Sequence, residues 1–199
     1  KSEANPLLVK YVDELSLAKG SRLFLPLCGK TLDIGWLLSR DYRVAGAELS
    51  AVAIEQLFAE LGVTPTITTV GSLDHYRAPQ LDIFVGDIFT VTPELLGPVD
   101  AIYDRAALVA LPRDMRARYA EHLMTLTGQA PQLLISFEYD QRVMEGPPFS
   151  VSNEEIREHY GQRYGIRVLT SLDVPGGLKG RCPAEEAVYL LVKNRLGRI

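Results

Sequence analysis

The chain has 199 residues, 47% of them hydrophobic, which is enough to bury a sizeable core at a length that suits one domain. Its formal net charge is −4 with acids and bases interspersed, so it carries no electrostatic footprint for a nucleic-acid backbone or an anionic membrane. Cys28 and Cys182 stand at unrelated spacing and no apolar run approaches the roughly 18 residues of a membrane span, which excludes a disulfide framework, a C-x-x-C site and a spanning helix.

The chain opens at Lys1 with no methionine and no basic-then-apolar signal segment, so a trimmed N-terminus and a reducing, cytoplasmic location are expected. Asn5-Pro6 reads as a helix cap followed by proline in the first turn, with Leu7, Leu8, Tyr11, Val12 and Leu15 as an apolar stripe and Lys19-Gly20 as its close. A strand over Arg22 to Pro26 leads into Leu27-Cys28-Gly29-Lys30-Thr31. That turn ends as a triphosphate loop does, but the pattern G-x-x-x-x-G-K-[ST] requires a glycine where Phe24 stands. The turn therefore reads as the start of a helix, Leu32 to Arg40, followed by a strand over Arg43 to Ala47 and a Ser50-capped helix to Gly62.

Ile83 to Val85 and Ala101 to Tyr103 read as buried strands, Arg113 to Leu126 as a helix and Gln132 to Phe137 as a strand. Ser152-x-x-Glu155 predicts a capping box for a helix reaching Tyr164, and Arg167 to Leu172 and Ala187 to Val192 close the chain as an antiparallel hairpin. The expectation is one α/β domain over residues 1–199: a Rossmann-like, mostly parallel seven-stranded sheet with helices on both faces and a late antiparallel strand. Many class I methyltransferases share this pattern.

In such a sheet ligands bind beyond the carboxyl ends of the strands. After the first strand, Gly29 lets backbone approach a ligand at a helix N-terminus. After the second comes Glu48, about twenty residues on, where a dinucleotide-type fold places the acid that accepts ribose hydroxyls. After the third, Gly86-Asp87-Ile88-Phe89 offers an acceptor and an apolar wall suited to a purine. After the fourth, Asp104-Arg105 places charges between apolar runs, either as an internal pair or with Arg105 as an anion anchor. A nicotinamide cofactor would call for G-x-G-x-x-G, and this turn has one glycine, so S-adenosylmethionine is the better fit.

These residues resemble the thiopurine S-methyltransferases. The likeness rests on Pro26-Leu27-Cys28-Gly29-Lys30, Gly46-Ala47-Glu48-Leu49-Ser50, Gly86-Asp87-Ile88-Phe89, Asp104-Arg105-Ala106-Ala107-Leu108-Val109-Ala110-Leu111 and Glu145-Gly146-Pro147-Pro148-Phe149-Ser150. Gly177-Leu178-Lys179-Gly180 and Glu186-Ala187-Val188-Tyr189 look like the bacterial branch. The resemblance implies S-adenosylmethionine-dependent methylation of a thiol on an aromatic or heterocyclic ring, thiopurines being the test acceptors. It extends to selenium and tellurium compounds and to resistance against them. It also implies that Leu27, Glu48 and Arg105 contact the cofactor, that Asp87 and Ile88 lie at its adenine, and that Gly146 to Ser150 border the substrate; Gly29, at the turn, and Leu49, beside Glu48, complete the expected cofactor-binding set. The family pattern has an aromatic N-terminal covering segment, which a chain opening at Lys1 is expected to lack, and Ala106 stands where mammalian relatives commonly have glycine.

No acid or base is assigned to the reaction, since the sulfonium methyl is already activated; Arg105 is a candidate to stabilise the acceptor thiolate. The expected partner is a small-molecule thiol, without nucleic acid, membrane or metal, and the chain is expected to act as a monomer. Cys28 has no His beside it and reads as a buried small hydrophobe. His75, His122 and His159 lack metal-ligand spacing and are expected at the surface or at caps, with Trp36 in the core. The competing readings are a noncatalytic S-adenosylmethionine-binding protein and, behind it, a nicotinamide oxidoreductase.

Overall fold

Caps and apolar stripes set most element boundaries in the computed structural model, which describes residues 3–195. Lys1 and Ser2, where the reading of the N-terminus begins, lie outside the described residues. The chain divides into two compact units, Lys1–Tyr103 and Asp104–Ile199.

In the first unit α1 (Pro6–Tyr11) is capped by Asn5, whose side chain accepts the Leu7 N–H, and tightens into a 3-10 turn over Val12–Leu15. It ends there, short of Lys19, because Ser16 turns left-handed at φ 52°. β1 (Arg22–Pro26), α2 (Leu32–Ser39), β2 (Arg43–Glu48) and α3 (Ala51–Leu61) follow as the sequence predicts, with Thr31 and Ser50 as side-chain caps and Gly62 left-handed at the end of α3. α2 packs on β2. Next comes a hairpin that the sequence reading does not include, β3 (Thr66–Val70) and β4 (Leu73–Ala78), and then β5 (Leu81–Val85), the short α4 (Pro93–Leu96) and β6 (Ala101–Arg105).

The strands of this unit stand in the order β3-β4-β5-β2-β1-β6. β5, β2, β1 and β6 are parallel to one another, and β4 and then β3 extend the β5 side antiparallel. Leu23, Phe24, Ile34, Leu37, Val44, Ile54 and Ile83 form its core. Asp33, 2% exposed, ties three elements of the unit together by accepting the Asn5 N–H (2.7 Å) and the Tyr103 hydroxyl (3.0 Å).

In the second unit α5 (Arg113–Thr127) and α6 (Asn153–Tyr160) pack together, and β7 (Gln132–Tyr139), β8 (Tyr164–Asp173) and β9 (Ala184–Lys193) stand in the order β7-β9-β8, antiparallel throughout. The closing hairpin is therefore present, with a bulge between Val168 and Thr170. Tyr119, Tyr160, Leu133, Leu134, Ile156, Val188 and Leu191 fill the interior. The fold is the expected α/β class, with nine strands among the described residues in place of seven. The extra two are β3 and β4, whose outer strand faces solvent along most of its length. No helix among the described residues is long and apolar enough to cross a membrane.

Candidate functional site

Parallel register brings three strand ends of the first unit to one edge. Pro26 lies opposite Ala47, and Glu48 opposite Val85. The ladder continues one step beyond the strands, with the Cys28 N–H donating to Ala47 O (3.1 Å) and the Gly86 N–H to Glu48 O (2.9 Å). β1 is followed by β2 on one side and paired with the later β6 on the other, so the order reverses between β1 and β6. That reversal is the switch point at which open α/β sheets bind ligands.

Glu48 is fixed at this edge by two backbone donors. Its Oε2 accepts the Gly29 N–H at 2.8 Å and its Oε1 the Ser50 N–H at 3.0 Å. A carboxylate has about four lone-pair sites, so each oxygen keeps an acceptor position free while the group is held in one orientation. A pair of adjacent hydroxyls fits that arrangement, and the residues present therefore fit the ribose of a nucleoside cofactor. The turn above it is open: a Cβ built on Gly29, at φ +54°, would meet no heavy atom within 4 Å. Leu27 is also left-handed, at φ 46°, so the chain turns sharply directly after β1.

The neighbours divide into apolar and polar. Leu49 is 72% exposed, an apolar side chain facing water directly beside Glu48, whereas Ile88 is buried. Asp87 Oδ1 caps the short turn after β5 by accepting the Phe89 N–H at 2.9 Å. Lys30 reaches away to Glu60 of α3 (3.2 Å), and Thr31 caps α2 through the Asp33 N–H (3.3 Å), so the Gly29-Lys30-Thr31 turn starts a helix and no lysine closes over it. Cys28 is buried against Gly46, and burial together with the nearby Glu48 pushes its thiol pKa far up, which leaves no thiolate for nucleophilic chemistry.

In the second unit Arg105 closes β6, half-buried, its side chain with no hydrogen bond or ion pair among the described residues. The alternative of an Asp104–Arg105 pair is overturned, because Asp104 is fully buried and otherwise engaged. Its Oδ1 accepts the Leu108 N–H (3.1 Å) and its Oδ2 the Tyr119 hydroxyl (2.7 Å). Burial raises its pKa to about 6 against these hydrogen bonds.

The segment from Gln141 to Ser150 is held closely within the same unit. The Tyr139 hydroxyl donates to Pro148 O (2.7 Å), the Gln141 side chain bridges Met144 O (2.6 Å) and the Ser150 N–H (2.9 Å), and the Phe149 N–H donates to Val109 O (2.6 Å). Beside it lies a cleft of about 420 Å³ lined by residues that include Arg113, Arg116, Gln141, Phe149 and Ser150. Arg116, 3% exposed, grips both oxygens of Glu155 (2.8 and 3.0 Å), and its guanidinium lies 5.5 Å from the centre of the Phe149 ring.

Only half of the expected capping box forms: Ser152 Oγ accepts the Glu155 N–H (3.2 Å), while the Glu155 carboxylate turns to Arg116 and to His159 (3.1 Å). His159, half-buried, thus contacts the Glu155 carboxylate beside Arg116, and His75 pairs with Asp82 (2.9 Å), so neither is the free surface or cap residue that was expected. Trp36 is also not core: half-buried, it lines a cleft with Glu3, Ala4, Pro6, Val9 and Lys10. Sequence reasoning missed Ser50 as a partner of Glu48 and Tyr119 as a partner of Asp104. The first lies two residues from its partner and was open to inspection; the second lies fifteen residues away across a turn and carried no local signal.

Comparison with known proteins matches residues 1–193 to the family described as thiopurine S-methyltransferase (TPMT). A thiopurine S-methyltransferase of Xanthobacter autotrophicus is 60% identical over 191 residues, 96% of this chain and 90% of that protein. One of Gluconobacter oxydans is 50% identical over 187 residues, 94% of this chain and 85% of that protein. Among solved structures, the 1,6-didemethyltoxoflavin-N1-methyltransferase of Burkholderia thailandensis, with bound 1,6-didemethyltoxoflavin and S-adenosylhomocysteine, matches at a TM-score of 0.62 and 14% identity, covering 94% of this chain and 77% of its own. A TehB-like SAM-dependent methyltransferase of Corynebacterium glutamicum matches at a TM-score of 0.59 and 13% identity, covering 93% and 86%. The structural matches establish the fold.

Proposed function

Because the chain belongs to the thiopurine S-methyltransferase family, we propose that this S-adenosylmethionine-dependent methyltransferase methylates the sulfur of small aromatic or heterocyclic thiols, thiopurines among them. The observation that carries the cofactor half of this reading is Glu48, clamped by the Gly29 and Ser50 amides with acceptor positions to spare for a ribose diol. Leu27 and Gly29 border the same opening, Leu49 offers an apolar surface to an adenine, and Asp87 with Ile88 bounds the purine end. Bound at such a site, S-adenosylmethionine supplies a methyl group on a sulfonium that is already activated.

No residue of this chain is needed as a strong base. A model thiol titrates near pH 8.5, and an aromatic thiol is more acidic, so much of the acceptor arrives as thiolate. What the chain contributes is alignment and exclusion of water, which supply up to roughly 7–11 kcal/mol in favourable cases. Arg105, a guanidinium with no partner of its own among the described residues, takes a carboxylate of the cofactor and favours the acceptor anion. The acceptor lies along Gly146 to Ser150, a segment whose many hydrogen bonds give it a fixed surface. Reduced selenium and tellurium compounds present the same soft nucleophile and belong in the acceptor panel, in a soluble, cytoplasmic, monomeric enzyme.

Calorimetric titration of S-adenosylmethionine tests the cofactor assignment. Glu48→Ala removes an acceptor of charge-assisted hydrogen bonds and is expected to weaken binding about 10- to 100-fold with the fold retained by circular dichroism. An unchanged affinity takes Glu48 out of the site.

A further inference from the structure

The second unit contains a buried carboxylate that the proposed chemistry does not use. Asp104 is 0% exposed and immediately precedes Arg105. One oxygen accepts the Leu108 N–H at 3.1 Å, with the Ala107 N–H beside it, and the other accepts the Tyr119 hydroxyl at 2.7 Å from α5. Between these anchors Ala106 adopts φ +62°, a left-handed conformation that is unfavourable for an alanine. The main chain that follows Arg105 is thus bent into an unfavourable conformation, and the Asp104 carboxylate fastens it at Leu108. Meanwhile the guanidinium has no partner among the described residues. Even with these hydrogen bonds a fully buried carboxylate costs free energy, so its placement calls for a reason beyond filling space.

We infer that Asp104 and Tyr119 are positioning residues for Arg105. The Tyr119 hydroxyl orients the carboxylate, and the carboxylate fixes the Ala106-Ala107-Leu108 turn. That turn sets where the Arg105 guanidinium begins. Neither residue touches a ligand. This rests on the reading that Arg105 anchors the cofactor carboxylate.

Four full-length proteins, wild type, Arg105→Ala, Tyr119→Phe and the double variant, are titrated with S-adenosylmethionine by calorimetry and melted by circular dichroism. Tyr119→Phe keeps the ring and deletes one hydrogen bond, so binding is expected to weaken about three- to tenfold. In the Arg105→Ala background the same substitution is expected to change affinity no further, although it lowers the melting temperature in both backgrounds. That non-additivity is what a merely structural role cannot produce. Equal weakening in both backgrounds, or no weakening in either, overturns the inference while Arg105→Ala still reports on the anchor. If Arg105→Ala itself leaves affinity unchanged, the anchor reading fails and the inference falls with it. Should Tyr119→Phe not fold, Asp104→Asn replaces it: the amide oxygen still accepts the Leu108 N–H, while the NH2 in place of Oδ2 cannot accept from the Tyr119 hydroxyl, and the same Arg105-dependent loss is expected.

Discussion

Two carboxylates at strand ends, Glu48 and Asp104, have opposite environments and opposite consequences. Glu48 is half-buried and keeps acceptor positions free, which suits a ligand; Asp104 is sealed, and burial raises its pKa from 3.8 to about 6. With the folded value above the unfolded one, the folded state binds the extra proton between these values. The contribution of Asp104 to stability is therefore fully present below about pH 4 and is lost as pH rises through about 6. A shift of about two units corresponds to about 3 kcal/mol. Urea unfolding of wild type and Asp104→Asn at several pH values checks this: the difference between them should change by roughly that amount across the window, and a parallel pair of curves contradicts it. Glu48 was legible in the sequence because its distance from Gly29 is fixed by one βαβ unit. The state of Asp104 was not, because its partner is brought to it by the fold.

At the scale of elements, α5 and α6 are joined by charge as well as by apolar packing. Arg116 of α5 is 3% exposed and chelates Glu155 of α6, which also contacts His159 one turn further along. Burial would raise the Glu155 pKa, but the hydrogen bonds and charges of Arg116 and His159 outweigh it and hold the carboxyl below its usual range. Glu155→Ala leaves the buried guanidinium without its counter-charge and is expected to destabilise the protein by about 3–5 kcal/mol, read as a drop in the urea midpoint. A loss below about 1 kcal/mol would mean that water reaches Arg116 and compensates. The motif Ser152-x-x-Glu155 predicted the helix start correctly from its Ser152 cap. It misassigned the Glu155 carboxylate because a local rule takes no account of a competing cation thirty-nine residues away.

For the molecule as a whole, the alternation of apolar strands with capped helices was sufficient to predict parallel strands and a closing antiparallel hairpin. β1 and the cap of α3 fall where the sequence put them. β3 and β4 escaped because Thr66 to Thr69 are exposed, so the strand has no buried face to impose an apolar alternation, although its β-branched run Thr66-Ile67-Thr68-Thr69-Val70 ending at Gly71 was available as a signal. The edge that gathers Leu27, Gly29, Glu48 and Gly86 follows from strand order, which the sequence implied through its crossover helices. The central claim is that this edge serves methyl transfer to sulfur. It is tested most directly by incubating the protein with S-adenosylmethionine carrying a trideuterated methyl group and 6-mercaptopurine, and analysing the product by mass spectrometry. The account predicts the labelled methyl on the purine sulfur and stoichiometric S-adenosylhomocysteine; cofactor binding without any labelled thioether would contradict it and leave a noncatalytic S-adenosylmethionine-binding protein.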